Sequence, residues 1–202
     1  MNRLLVSALA LPVLLTACEA KKDTSPTPTA PTEKRTVATT IDAPVPAPAA
    51  FQHDPAVELV GFYFVEAQAQ VGHWRLMNLS IGLPKDFAAW EAGQRDPKNP
   101  PITLIFANVD SPAKKDEMEQ TVHQNGLTLV PDAYQVDGQR VFLHARSADL
   151  GEVVLELTPD LAAYKAGRSG GPNGGAQRVF TGSLQIGAER LRNISFFHHP
   201  GE

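Results

Sequence analysis

Glycine, histidine and every aromatic residue are missing from the first 50 positions of this 202-residue chain. All 15 Gly, all 6 His and every Phe, Tyr and Trp fall in 51–202, while the first 50 positions hold 7 of the 17 Pro. A packed core needs large apolar side chains, and tight turns need glycine. The first quarter of the chain therefore has no means of building a domain. The remaining length, roughly 150 residues, suits one domain with one core. The formal net charge of −4 lacks the basic footprint of a nucleic-acid binder, so no nucleic-acid partner is expected. The single cysteine excludes an intramolecular disulfide framework and any multi-cysteine metal site.

Met1-Asn2-Arg3 forms a short positive start, and Leu4 to Leu15 follows without a charge. That apolar run has the length of a secretory signal core and is too short to remain as a bilayer span. It closes on Leu15-Thr16-Ala17-Cys18. This resembles the lipobox of bacterial lipoprotein precursors. The resemblance implies that residues 1–17 are a removable signal peptide. It also implies that the Cys18 thiol is the lipid-attachment site and that the freed amino group is acylated. Three acyl chains exceed the two signals that stable anchoring needs. Glu19 follows the cysteine where aspartate would signal inner-membrane retention, so the outer membrane is favoured.

Residues 18–50 are rich in Ala, Pro and Thr and carry mixed charges. Their few β-branched side chains bury too little apolar area to offset the entropy of ordering. The expectation is a disordered tether. Its Pro-rich pieces favour polyproline II, reaching at most about 100 Å, against about 30 Å for a flexible coil.

The globular part, 51–202, reads as short strands. Val60–Val65, Trp74–Ile81, Ile102–Val109, Val153–Leu157, Val179–Ile186 and Arg192–Phe197 are apolar or alternating. Tyr134–Val136 and Arg140–His144 flank Asp137-Gly138, a hairpin signal. This predicts a mainly β, sandwich- or barrel-like antiparallel domain with short helices. Two readings stand for 110–130. Asp110-Ser111-Pro112 can start a helix through Gln124, or Asn125-Gly126 can turn a hairpin between 121–123 and 127–130.

One segment echoes another. Residues 83–93 (LPKDFAAWEAG) and 157–167 (LTPDLAAYKAG) agree at six of eleven positions, each after a strand and before a Pro/Gly/Asn loop. In each copy an Asp (Asp86, Asp160) can cap a helix. The apolar pairs Phe87/Trp90 and Leu161/Tyr164 share one face. Gly93 and Gly167 can end the helix in the left-handed region. The echo predicts a strand–helix–strand unit used twice, hence a pseudo-two-fold domain.

Chemistry-bearing patterns are sparse. Gly167–Gly171 matches G-x-S-x-G by letter, but a nucleophile elbow needs a strand before Ser169 and a helix after it. A short helix before it and Pro172-Asn173-Gly174-Gly175 after it predict an ordinary loop. No phosphate cradle is expected there either. His198-His199 is the only His pair, and neighbours on a strand point to opposite faces. His53-Asp54 could join them only if the termini meet. No H-x-H, H-x3-H or H-E-x-x-H spacing occurs, so no metal site is assigned. Carboxylate catalysis would draw on Asp54, Glu66, Asp86, Glu91, Asp110, Glu152, Glu156 or Asp160, none within a signature. Glu66 and Glu156 are expected on strands facing solvent. Trp74, Trp90, Tyr164 and Phe196-Phe197 are expected in the core, with a ligand groove as the alternative. No catalytic residue and no cofactor is assigned.

The expectation is an envelope lipoprotein carrying a non-enzymatic binding domain. Its partners would be the membrane, through the lipid, and an envelope protein. An envelope hydrolase using a carboxylate/His site, and a small-ligand or metal carrier, are the alternatives.

Overall fold

The computed structural model describes residues 39–41, 50–66, 68–116, 121–169 and 176–198. All of these belong to one compact unit, residues 34–202. The chain runs β1 (Thr39–Ile41), β2 (Phe51–His53), β3 (Gly61–Val65), β4 (Gln70–Val71), β5 (Trp74–Ile81), α1 (Pro84–Glu91), β6 (Ile102–Asn108), β7 (Ala113–Lys115) and β8 (Thr121–His123). It continues with β9 (Gly126–Leu129), β10 (Ala133–Val136), β11 (Val141–Ser147), β12 (Gly151–Pro159), α2 (Leu161–Ser169), β13 (Gln177–Ile186) and β14 (Glu189–His198). The domain is mainly β with two short helices.

One curled sheet of 12 strands carries the fold in the order β2-β10-β11-β12-β13-β14-β3-β5-β6-β9, with β1 added on β14 and β4 on β5. The curl brings β9 against β11, so the sheet resembles half a barrel rather than two packed sheets. Among the described residues all pairings are antiparallel except β2 on β10. The expected hairpin at Asp137-Gly138 joins β10 to β11 with Val136 opposite Val141. The Asp137 carboxylate accepts the backbone N–H of Gln139 and of Arg140, each at 2.7 Å.

The strand order contains the same unit twice. β3-β5-β6-β9 and β11-β12-β13-β14 are each an antiparallel meander, and in each a helix fills the connection between the second and third strands. The last strand of the second meander pairs with the first strand of the other, Phe196 opposite Val65. The echo in the sequence thus falls at the same place in each meander, between its second and third strands.

Alternation decides what the sheet buries. On β3, Tyr63 is fully buried while Phe62 and Phe64 face out. Val141, Leu143 and Ala145 of β11 and Val153, Leu155 and Leu157 of β12 join one core cluster with Phe180, Leu184, Ile194 and Phe196. Phe87 and Trp90 of α1, and Tyr164 of α2, close the same cluster. Gly182 is required by packing. A Cβ there would stand 2.0 Å from the Glu156 carbonyl oxygen across β12.

Several expectations differ from the structure. Residues 110–130 form neither the helix nor the proposed hairpin, because β8 pairs with β7 and β9 pairs with β6. Too few apolar positions lie on one face of a 112–124 helix to hold it on the core. Asp86 does not cap α1 from outside. Pro84 starts the helix, and the Asp86 carboxylate turns back to accept the Leu83 N–H at 2.9 Å. Gly167 does not end α2, which runs to Ser169, whereas Gly93 follows α1 with φ of 90°. Within the stretch assigned to the tether, Thr39–Ile41 forms a strand on Glu189–Leu191. A free edge of β14 supplies backbone partners that composition alone does not reveal. Cys18 and the remainder of 1–49 lie outside the described residues.

Candidate functional site

A groove of about 400 Å³ opens between the segment Ala56–Glu58 and the outer side of α2. Ala56, Val57 and Leu161 supply apolar wall, and Glu58, Lys165, Arg168 and Ser169 supply the polar rim. Asp160 fixes the start of α2, its carboxylate accepting the Ala163 N–H at 2.9 Å. Leu161, Tyr164, Lys165 and Arg168 then recur at helical spacing and face one side. Tyr164 is buried and ties the groove to the sheet. Its hydroxyl donates to the Val60 carbonyl at 3.0 Å and accepts from Arg168 Nη1 at 3.0 Å. Arg168 also pairs with Glu58 at 2.8 Å. Beneath, Tyr63 donates to the Leu59 carbonyl at 2.5 Å, and burial pushes its hydroxyl pKa well above the usual range. The segment 58–61 is thus pinned from two sides. A ligand in the groove would meet a fixed apolar wall and two cations, one already balanced by Glu58.

A second polar cluster lies on the outer face of the sheet. His144 of β11 is only 5% exposed. Its Nδ1 meets Asp132, and its Nε2 meets Glu152 at 2.9 Å. An ionised carboxylate only accepts, so both ring nitrogens must carry a proton, and the arrangement is built for the imidazolium. Burial alone would lower the His144 pKa, but the hydrogen bonds and charges of the two carboxylates outweigh it and raise it. The hydrogen bond from His144 in turn lowers the Glu152 pKa. The carboxylates hold opposite sides of one ring, which uses up both nitrogens. Such a clamp joins the residue preceding β10 to β11 and β12; it does not present a general base or converging metal ligands. Among the described residues no group of three or more His, Cys, Asp or Glu could hold a metal ion.

The other sequence candidates are dispersed. Ser169 ends α2 and its hydroxyl donates to the Lys165 carbonyl, so it follows a helix instead of preceding one. It sits on the groove rim, not on a strained turn. His53 stacks on Phe87 at 4.1 Å beside α1, and burial lowers its pKa. His198 packs against Tyr63 and Tyr164 beside α2, so the two histidines serve different helices. His199 lies outside the described residues, as do Gly170–Gly175. Glu66 pairs with Arg178, and Glu156 lies between Arg140 at 2.8 Å and Arg190 at 3.7 Å. Glu156 lies on β12 as expected, whereas Glu66 sits at the bend just past β3; both side chains remain partly exposed beside these guanidinium groups. Glu91 accepts from the Tyr134 hydroxyl, and Asp54 accepts the Ala56 N–H. Asp110 takes part in a turn through its N–H to Asn108. Trp74, Trp90, Tyr164 and Phe196 are buried in the core; Phe197 lies half-buried under Arg178.

Sequence reasoning missed the His144 clamp. Its only local signal is a histidine inside an apolar strand, and its two partners come from other segments. No family model matches this chain, and neither a curated protein nor a solved structure matches it. Among the described residues no helix is long and apolar enough to cross a membrane.

Proposed function

We propose that this chain is a bacterial lipoprotein precursor whose 51–202 domain is a non-enzymatic binding module of the cell envelope. The address rests on Leu15-Thr16-Ala17-Cys18, with Cys18 as the lipidated residue and the outer membrane as the favoured site. The binding role rests on one observation: the groove beside α2 joins the apolar Val57 and Leu161 to the cationic Lys165 and Arg168. That combination suits an extended segment of a partner protein carrying an acidic side chain. Apolar burial supplies affinity, and the charges fix orientation. The anchor raises the local concentration of partners in the same envelope, so a shallow site suffices.

Two variants test this. Cys18→Ser should move the protein from the membrane to the soluble fraction; unchanged fractionation would remove the anchor from the reading. Leu161→Glu combined with Lys165→Glu should abolish capture of whichever envelope protein the wild type retains by cross-linking in intact cells. Equal capture by wild type and double variant would sink the groove as the binding site.

A further inference from the structure

The outer face of β3 carries a second surface of different chemistry. Phe62 is 59% exposed and Phe64 47%, and they stand two residues apart on one strand, hence on one face. Register sets Phe64 opposite Phe197 on one side and Asn78 on the other, with Phe62 opposite Ser80. Arg75, Met77 and Glu66 border a shallow depression beside Phe64, the Glu66 carboxylate being paired with Arg178. Two phenyl rings raised over a polar sheet face, with a guanidinium beside them, match the boundary between headgroups and acyl chains. Rings enter the apolar side of that boundary, and the cation meets phosphate.

The position of the tether selects the occupant. β1 and β3 pair with the same edge of β14, β1 at Glu189–Leu191 and β3 at Phe196–His198. Thr39 lies opposite Leu191 in an antiparallel pair, so the N-terminal end of β1 points along β14 towards Phe196, where Val65 pairs. Five residues of strand separate Leu191 from Phe196, about 17 Å. Only 20 residues lie between Cys18 and Thr39. Such a length spans about 60 Å fully extended and about 25 Å as a flexible coil. An acylated Cys18 would therefore keep the bilayer within reach of the sheet face from which Phe62 and Phe64 project.

We infer that the Phe62–Phe64 face docks on the phospholipid surface that holds the anchor, leaving the groove beside α2 for a partner. This inference rests on the lipoprotein reading. Docking adds only a weak contact, and the anchor makes a weak contact effective by holding the two surfaces together.

The test places a reporter on the face. Trp74 and Trp90 are both buried, so the wild-type emission changes little when lipid approaches. The full chain carrying Phe62→Trp is purified from membranes. It is reconstituted in vesicles of phosphatidylethanolamine and phosphatidylglycerol, with and without brominated acyl chains. Docking predicts a blue shift of the indole at position 62, quenching by the brominated lipid, and protection from aqueous iodide. An indole that stays open to iodide and blind to bromine overturns docking. Protection in native membranes but not in pure lipid overturns it as well, because the face would then take a protein. Fractionation of Cys18→Ser judges the anchor separately. If that variant behaves as wild type, the lipoprotein reading fails while the position-62 readout still reports on the face.

Discussion

The two meanders share a strand order but treat equivalent places differently. In the first, Pro84 opens α1, the helix buries Phe87 and Trp90, and Gly93 stops it. In the second, the proline falls one position later relative to the echo, at Pro159. There it stays in β12 opposite Phe180, and Asp160 starts α2. A proline disfavours helix at the residue before it, so a one-residue shift moves the helix start from before Asp86 to after Asp160. The leading strands differ as well. Phe62 and Phe64 of β3 are exposed, whereas Phe142 and His144 of β11 are buried on their outer face. Arg140 lies over the Phe142 ring at 4.6 Å, and Asp132 and Glu152 flank His144. The same alternating pattern thus gives an open aromatic face in one half and a closed polar network in the other. What covers the strand decides, not the strand.

The largest effect should come from the helix anchors. Phe87 is fully buried, and Phe87→Ala should cost about 3–5 kcal/mol in urea unfolding. Leu161, the matching residue of α2, is half-buried, and Leu161→Ala should cost about 1 kcal/mol. Equal losses would mean that the two helices are held alike, against the packing seen. The closed network comes next. His144→Gln should cost about 1–2 kcal/mol at acid pH, a modest value because both carboxylates are half-exposed and screened. The folded-state pKa of His144 is raised, so its contribution is complete below the ordinary imidazole pKa. It fades as pH rises through the raised value. The gap between wild type and variant should therefore shrink on the alkaline side, and a gap that widened with pH would refute the clamp. The smallest contrast concerns the two aspartates. Asp160→Ala removes an N-cap and should cost about 1 kcal/mol. Asp86→Ala removes only a return hydrogen bond to Leu83 and should cost about half of that. A larger loss at Asp86 would reverse the assignment of the cap.

Most of the sheet was legible along the chain. Trp74–Ile81 is a strand from end to end as its alternation predicts, and the Asp137-Gly138 turn lies where its residues indicate; both echo segments are helical, but α1 starts before Asp86 and α2 runs past Gly167. The strands that local pattern misses are short and lean on neighbours, such as Thr39–Ile41 on β14 and Phe51–His53 in parallel on β10. For the candidate sites, each position lay in view without its relation to the others. Val57 and Leu161 are more than a hundred residues apart in the chain and meet only across the groove. Asp132, His144 and Glu152 lie on three separate segments.

The sequence by itself determined an uneven chain: a first quarter without glycine, histidine or aromatic residues, one cysteine at the end of a charge-free apolar run, and a strand-forming stretch behind them. Those properties depend on composition and on contacts within a few residues, which order along the chain fixes. Only the tertiary structure decided that the echo lies in a repeated meander, that His144 is gripped by two carboxylates, and that Phe62 and Phe64 are exposed on the strand next to β14, on which Thr39–Ile41 pairs. Each of these depends on which distant segments the curl of the sheet brings together. Pairing partners are chosen by the whole set of buried faces at once, and no local stretch carries that choice.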